Sequence, residues 1–290
     1  MERKIDAFCL STSVDGIAVT ELLQRVEPLA TAYGEAVRTL RQYVEDMQDG
    51  INKNSPDVNS LSFPYLSTGS LQPIKVLSEG TLKFEDLKIG LIYPGIFGAT
   101  KVVLGHRARL SQRYPGLLLE MALIYRVALF EAFITDVISA VLVSRPEILK
   151  SNKKMITHEE LIDGLADGTL LDVLVQKEVI EFSYLSLERQ DKWAAEKLGV
   201  EFLSRDPTIR ASIFELSARR NLFVHNNGVV NSIYHQVVSE PHYDIGYRLE
   251  VDNEYWNNAD STLIVVAEHL VRSVVTKFCP GSDVPSIGHW

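Results

Sequence analysis

Apolar residues near the N-terminus recur in alternating steps of four and three. Val26, Ala30, Tyr33, Val37, Leu40, Val44, Met47 and Ile51 form the series, which is the seam of a coiled coil or long helical hairpin. Pro28 suits the first turn of this helix or a kink within it, and EDMQDG leads to a glycine near its end. The pattern predicts an amphipathic helix packed on its own chain, with a partner-binding helix as the alternative. From residue 52 to 100 the character changes. NKNSPDVNSLSFPYLSTGS is polar and rich in turn formers, and PIKVLSEGTLKFEDLKIGLIYPG alternates weakly, as short strands do.

Beyond Pro115 the periodicity is helical. The most apolar stretch, Gly116 to Val143, is interrupted by Glu120, Arg126, Glu131 and Asp136. Each charge at mid-bilayer costs about 2.5–3.5 kcal/mol, so a central helix apolar nearly all round is expected rather than a membrane span. Pro146 opens a short helix, and ITHEELIDGL and DVLVQKEVIEFSYLSLERQDKWAAEKLG supply more, the latter ending at Gly199. Asp206 and Pro207 start another as N-cap and first helical residue, with Ile209, Ile213, Leu216 and Phe223 as its inward stripe. YDIGYRLEVDNEYW alternates briefly, as a small β-hairpin or extended arm. ADSTLIVVAEHLVRSVVTKF closes the chain as a helix capped near Asp260 or Ser261, and CPGSDVPSIGHW reads as a frayed tail. The expected class is therefore mainly all-α. A long N-terminal helix and a loop or short-strand region (1–105) precede a helical domain (106–280) and a flexible tail (281–290).

Charge and cysteine content narrow the chemistry. A formal net charge of −9 argues against broad attraction to nucleic acid but leaves room for a local basic cleft. Cys9 and Cys279 lack metal-like spacing, which predicts neither a disulfide scaffold nor a metal site, and a reducing compartment. The start of the chain has no apolar core of signal-peptide length, so a cytoplasmic protein is expected. GxxxxGK[ST], GxGxxG and GxSxG are absent, and THEEL has no second histidine to complete HExxH. No cofactor is implied.

What remains is ARRNLFVHNNG, Ala218 to Gly228. On a helix Asn221 and His225 lie one turn apart on one face. Arg220, about 7.5 Å before His225 along the axis, has the reach to enter the same space. Asn227 or Gly228 suits the left-handed stop. A last-turn histidine also interacts favourably with the helix dipole, so the stretch is equally the capped end of an ordinary helix.

The string RNLFVH resembles the R-N-x3-H signature of the HEPN superfamily. The resemblance extends in order through ALFEAFITDVISAVLVSRPEILKSNKKMITHEEL, EFSYLSLERQDKWAAEKLG and ARRNLFVHNNGVVNSIY, covering residues 116 to about 280. It implies a helical bundle that dimerises with its two signature helices facing each other and that, in many members, is a metal-independent endoribonuclease. Arg220 and His225 would then be the catalytic pair and Asn221 their organiser. Two subunits would build one composite site for an RNA substrate. Arg219 would be a further RNA-backbone contact or merely surface. Glu131 would hold Arg220, or pair internally with Arg126 or another base. Arg145, Lys150, Lys153 and Lys154 form the clearest basic cluster, either an RNA track or a solvated face.

The implied role is a toxin or antiviral-defence effector, with the N-terminal helix available to a protein partner or inhibitor. The alternative is a catalytically inactive HEPN dimer serving interaction or sensing. One departure is clear. Members silenced by adenylylation carry a tyrosine two residues after the histidine, where this chain has Asn227.

Overall fold

The computed structural model describes residues 8–54, 114–150, 155–203, 206–238 and 242–287. The helices are α1 (Phe8–Asn54), α2 (Tyr114–Ser144), α3 (His158–Ala166), α4 (Leu170–Ser183), α5 (Leu187–Leu198), α6 (Pro207–Asn226), α7 (Ser232–Val237) and α8 (Asn253–Phe278), with a 3-10 turn at Pro146–Leu149. Among the described residues there is no strand, so the class is all-α. The short strands expected within residues 52–100 lie outside the described residues. The chain divides into two units, Met1–Val44 with Leu118–Trp290, and Glu45–Leu117.

The core of the first unit is built on the seam of α1. Leu22, Val26, Ala30, Tyr33, Val37, Leu40 and Val44 are buried together with α2 and α8 residues such as Leu123, Phe130, Leu263 and Leu270. Steps of four and three keep one stripe facing inward along the helix, so this face is buried against the chain's own bundle. Of the two seam positions beyond Val44, Met47 is exposed and Ile51 is buried. Pro28 sits well inside α1, not in its first turn. Its missing N–H leaves the Gln24 carbonyl without a helical donor. At Gly34 the backbone of Ile287 comes so close that a Cβ would overlap its carbonyl. Ile287 is buried in the core, so the tail expected to fray is packed at that point.

Each charge that interrupts the apolar α2 is accounted for. Glu120 accepts from Arg248 Nη2 at 2.9 Å, Arg126 donates to Asp260 and Tyr33, Glu131 accepts from Arg220, and Asp136 is exposed. The helix is long and apolar enough to cross a membrane by length and composition; residues such as Leu123, Phe130, Ile134 and Val137 line the core of this unit, while Met121 and Tyr125 are exposed.

The last helix begins eight residues before the expected cap. Asp252 is the N-cap, accepting from the Tyr255 N–H at 2.7 Å. Trp256, Ala259 and Leu263 extend its buried stripe toward the N-terminus, and Asp260 is buried at 2 % exposure within the helix. The hairpin expected in YDIGYRLEVDNEYW is not formed. Its first half is an extended arm joined to the chain after α6 by one antiparallel bridge, Val229 to Arg248. Val230 N–H donates to the Tyr247 carbonyl at 2.8 Å, and Leu249 N–H to the Gly228 carbonyl at 2.9 Å. Ala218, Leu222, Val230, Tyr234 and Leu249 make a small second core beneath this arm. The C-terminal half of α6 therefore packs on two sides, which leaves a limited face for chemistry.

Candidate functional site

Helix α6 is fixed at both ends by local chemistry. Asp206 Oδ1 accepts from the Thr208 N–H at 2.8 Å, with Pro207 in the first turn. At the other end Asn227 adopts φ 51°, ψ 34° and Gly228 φ 75°, and both N–H groups donate to the Leu222 carbonyl. Both residues thus share the left-handed stop. A side chain at Gly228 would be strained by that φ, and its Cβ would lie 2.8 Å from the Phe223 ring. Gly228→Ala is therefore expected to lower unfolding free energy by about 1–3 kcal/mol in urea titration. Asn227→Gly is expected to be neutral or slightly stabilising, and equal effects at the two positions would contradict this origin of the stop.

The helix stop leaves His225 exposed in the last turn, with Asn221 exposed one turn earlier. Arg220 donates from Nη1 to Asn221 Oδ1 at 2.9 Å and from Nη2 to Glu131 Oε2 on α2. Of the two pairings open to Glu131, the structure forms the one with Arg220. Arg126 is taken by Asp260 instead. Arg220, Asn221 and Glu131 thus come together directly, while His225, one turn after Asn221, makes no hydrogen bond to the described residues.

Arg219 is placed otherwise than either expectation for it. It is 5 % exposed, donating from Nε to Glu215 Oε1 at 2.7 Å and from Nη1 to the Glu250 carbonyl at 3.0 Å. The Tyr255 ring lies beneath its guanidinium at 3.9 Å. A step of one residue turns the side chain about 100° around the helix, which carries Arg219 toward the second core and Arg220 away from it. Glu215 is the hub, accepting also from the Tyr234 hydroxyl at 2.7 Å and the Tyr255 hydroxyl at 2.6 Å. Burial first, and then the Glu215 carboxylate, raises both tyrosine pKa values, so each hydroxyl stays a donor.

The adjacent arginines should therefore respond oppositely to alanine. Arg219→Ala is expected to lose about 2–3 kcal/mol of stability, whereas Arg220→Ala, losing a partly exposed pair, should lose about 1 kcal/mol or less. Chemical denaturation of both variants checks this. A sequence signal for the hub existed, because Glu215 precedes Arg219 by one helical turn. Tyr234 and Tyr255 gave none, being brought in by α7 and α8.

Lys150 is exposed at the end of the 3-10 turn, and no contact ties it to the Arg220 group. Lys153 and Lys154 lie outside the described residues. Among the described residues no group of three or more His, Cys, Asp or Glu side chains could hold a metal ion. Chemically, the site offers a fixed guanidinium, an amide and a solvent-accessible imidazole on the end of one helix. Comparison with protein-family models, with curated proteins and with solved structures gives no match.

Proposed function

We propose that the chain is an endoribonuclease of the HEPN type, working as a dimer whose two α6 helices form one composite site. The observation that carries this reading is the end of α6. Arg220, Asn221 and His225, the residues of R-N-x3-H, stand on its accessible face, and the first two are joined by a hydrogen bond. In the proposed reaction the ribose 2′-oxygen attacks the adjacent phosphorus and the bond to the 5′-oxygen breaks. A neutral His225 takes the 2′-OH proton, and a protonated His225 gives a proton to the leaving oxygen. One chain supplies a single such histidine, and a two-fold dimer supplies both. Arg220 stabilises the charge gathering on the non-bridging phosphate oxygens. In the cell such an enzyme is proposed to act on cytoplasmic RNA as a toxin or defence effector.

The test is the product. With a chelator present, the purified protein should cleave RNA to fragments ending in 2′,3′-cyclic phosphate and 5′-hydroxyl. Fragments ending in 3′-hydroxyl and 5′-phosphate would rule out the 2′-oxygen as nucleophile. A second reading, a dimeric interaction module without nuclease activity, is favoured by the pairing of Arg220 with Glu131, since a counter-ion is also what a purely structural arginine acquires. It predicts no cleavage by the wild type and unchanged dimerisation in Arg220→Ala.

A further inference from the structure

A guanidinium carries only donors, so an asparagine amide that meets it must turn its oxygen inward. That is the arrangement here, with Arg220 Nη1 donating to Asn221 Oδ1 at 2.9 Å. The other end of the Asn221 amide, with two N–H donors, then faces away from Arg220 on an exposed side chain. The orientation holds only while the guanidinium itself is fixed, and the second anchor is Glu131 Oε2, which accepts from Nη2 and comes from a different helix. Two of the five guanidinium N–H groups are engaged in this way and three are not, among the described residues.

Beside Glu131 the wall is apolar. Val127, Phe130, Ile213 and Leu216 line a narrow crevice with Glu131 and Ser217. The carboxylate side chain is 40 % exposed and the guanidinium 20 %, so the pair sits at the surface.

We propose that Glu131 is a positioning residue. By holding Arg220 from α2 it turns the Asn221 amide outward, so that guanidinium and amide together present a face of N–H donors. Such a face recognises the non-bridging oxygens of a phosphodiester, which accept and never donate. Asn221→Asp, nearly the same shape, would keep the bond to Arg220 and replace the outward donors by an acceptor. This inference rests on the proposed nuclease reading and names how that site is assembled.

The experiment compares full-length wild type with Glu131→Gln, Glu131→Asp and Glu131→Leu. It uses a short RNA substrate and, in parallel, side-chain amide spectra of protein labelled with 15N at asparagine, with the Asn221 pair assigned by its loss in Asn221→Asp. Glutamine keeps an oxygen at the right distance to accept from Nη2. It should hold kcat/KM within about threefold of wild type and leave the Asn221 pair in place. Aspartate is one methylene short and leucine has no acceptor, so both should lower kcat/KM by about tenfold or more and shift the Asn221 pair. Aspartate keeps the charge, so the result stands even if the leucine variant does not fold. An Asn221 pair unmoved in the aspartate variant, or kcat/KM there within twofold of an active wild type, would overturn the assignment. If the wild type cleaves no RNA, the nuclease reading falls by itself, and the amide shifts alone decide whether Glu131 positions Asn221.

Discussion

Asp260→Ala should unfold about 3–5 kcal/mol more readily than the wild type, and the cause is what the carboxylate leaves behind. Arg126 is fully buried. Its Nε donates to Asp260 Oδ1 at 2.6 Å and its Nη1 to the Tyr33 hydroxyl at 2.6 Å, while Nη2 has no partner among the described residues. Without Asp260 the guanidinium can neither give up its proton nor reach water. Arg41 also donates to Asp260, but its side chain is 28 % exposed and can turn into solvent. Arg41→Ala should therefore cost about 1 kcal/mol or less.

The decisive variant is the pair Arg126→Met with Asp260→Leu. It removes both buried charges and should recover most of the loss, because an apolar pair of similar volume fills the site without a desolvation cost. Urea midpoints for the three variants decide the matter. A single Asp260→Ala variant as stable as wild type would show that the cluster joining α1, α2 and α8 does not hold them.

His225→Ala should leave the fold intact and remove about 10²–10⁴-fold of RNA cleavage. The side chain is exposed in the last helical turn and makes no hydrogen bond to the described residues, so its loss should change stability by about 0.5 kcal/mol or less. In the proposed dimer one substitution removes both the base and the acid, since each copy of His225 supplies one of them. Arg220→Ala should lose activity to a comparable extent, and the double variant should be little worse than either single one, as expected for residues acting as a unit. Mixed dimers carrying one His225→Ala subunit should lose most of the activity too. Activity at half the wild-type level in such mixtures would mean that each subunit works alone.

The ends of α6 were legible because they depend on residues next to one another: Asp206 before Pro207, and Asn227 before Gly228. The seam of α1 was legible from spacing alone, although the spacing could not say that its partner is the chain's own α2 and α8. Arg219 and Arg220 were not distinguishable, having the same chemistry at neighbouring positions. What separates them is the second core, made by Val230, Tyr234 and Leu249 from segments that return later in the chain. Asp260 read as a helix cap because a carboxylate before an apolar run is a sound local signal. The actual cap, Asp252, lies within the stretch that alternates like a strand, and a buried arginine 134 positions away claims the carboxylate of Asp260. Long-range partners of this kind leave no trace in local periodicity. The pairing of Glu131 with Arg220 is a partial exception, since a lone carboxylate in an apolar helix must find a cation, but the sequence offered more than one.

Whether the accessible end of α6 is the proposed nuclease site is decided most directly by one comparison. Wild type and His225→Ala, purified alike and matched in unfolding behaviour, are incubated with end-labelled RNA in the presence of chelator. Cleavage by the wild type to 2′,3′-cyclic phosphate ends is expected, with a loss of about 10²-fold or more in the variant. Equal cleavage by the two proteins would rule out a nuclease site at His225.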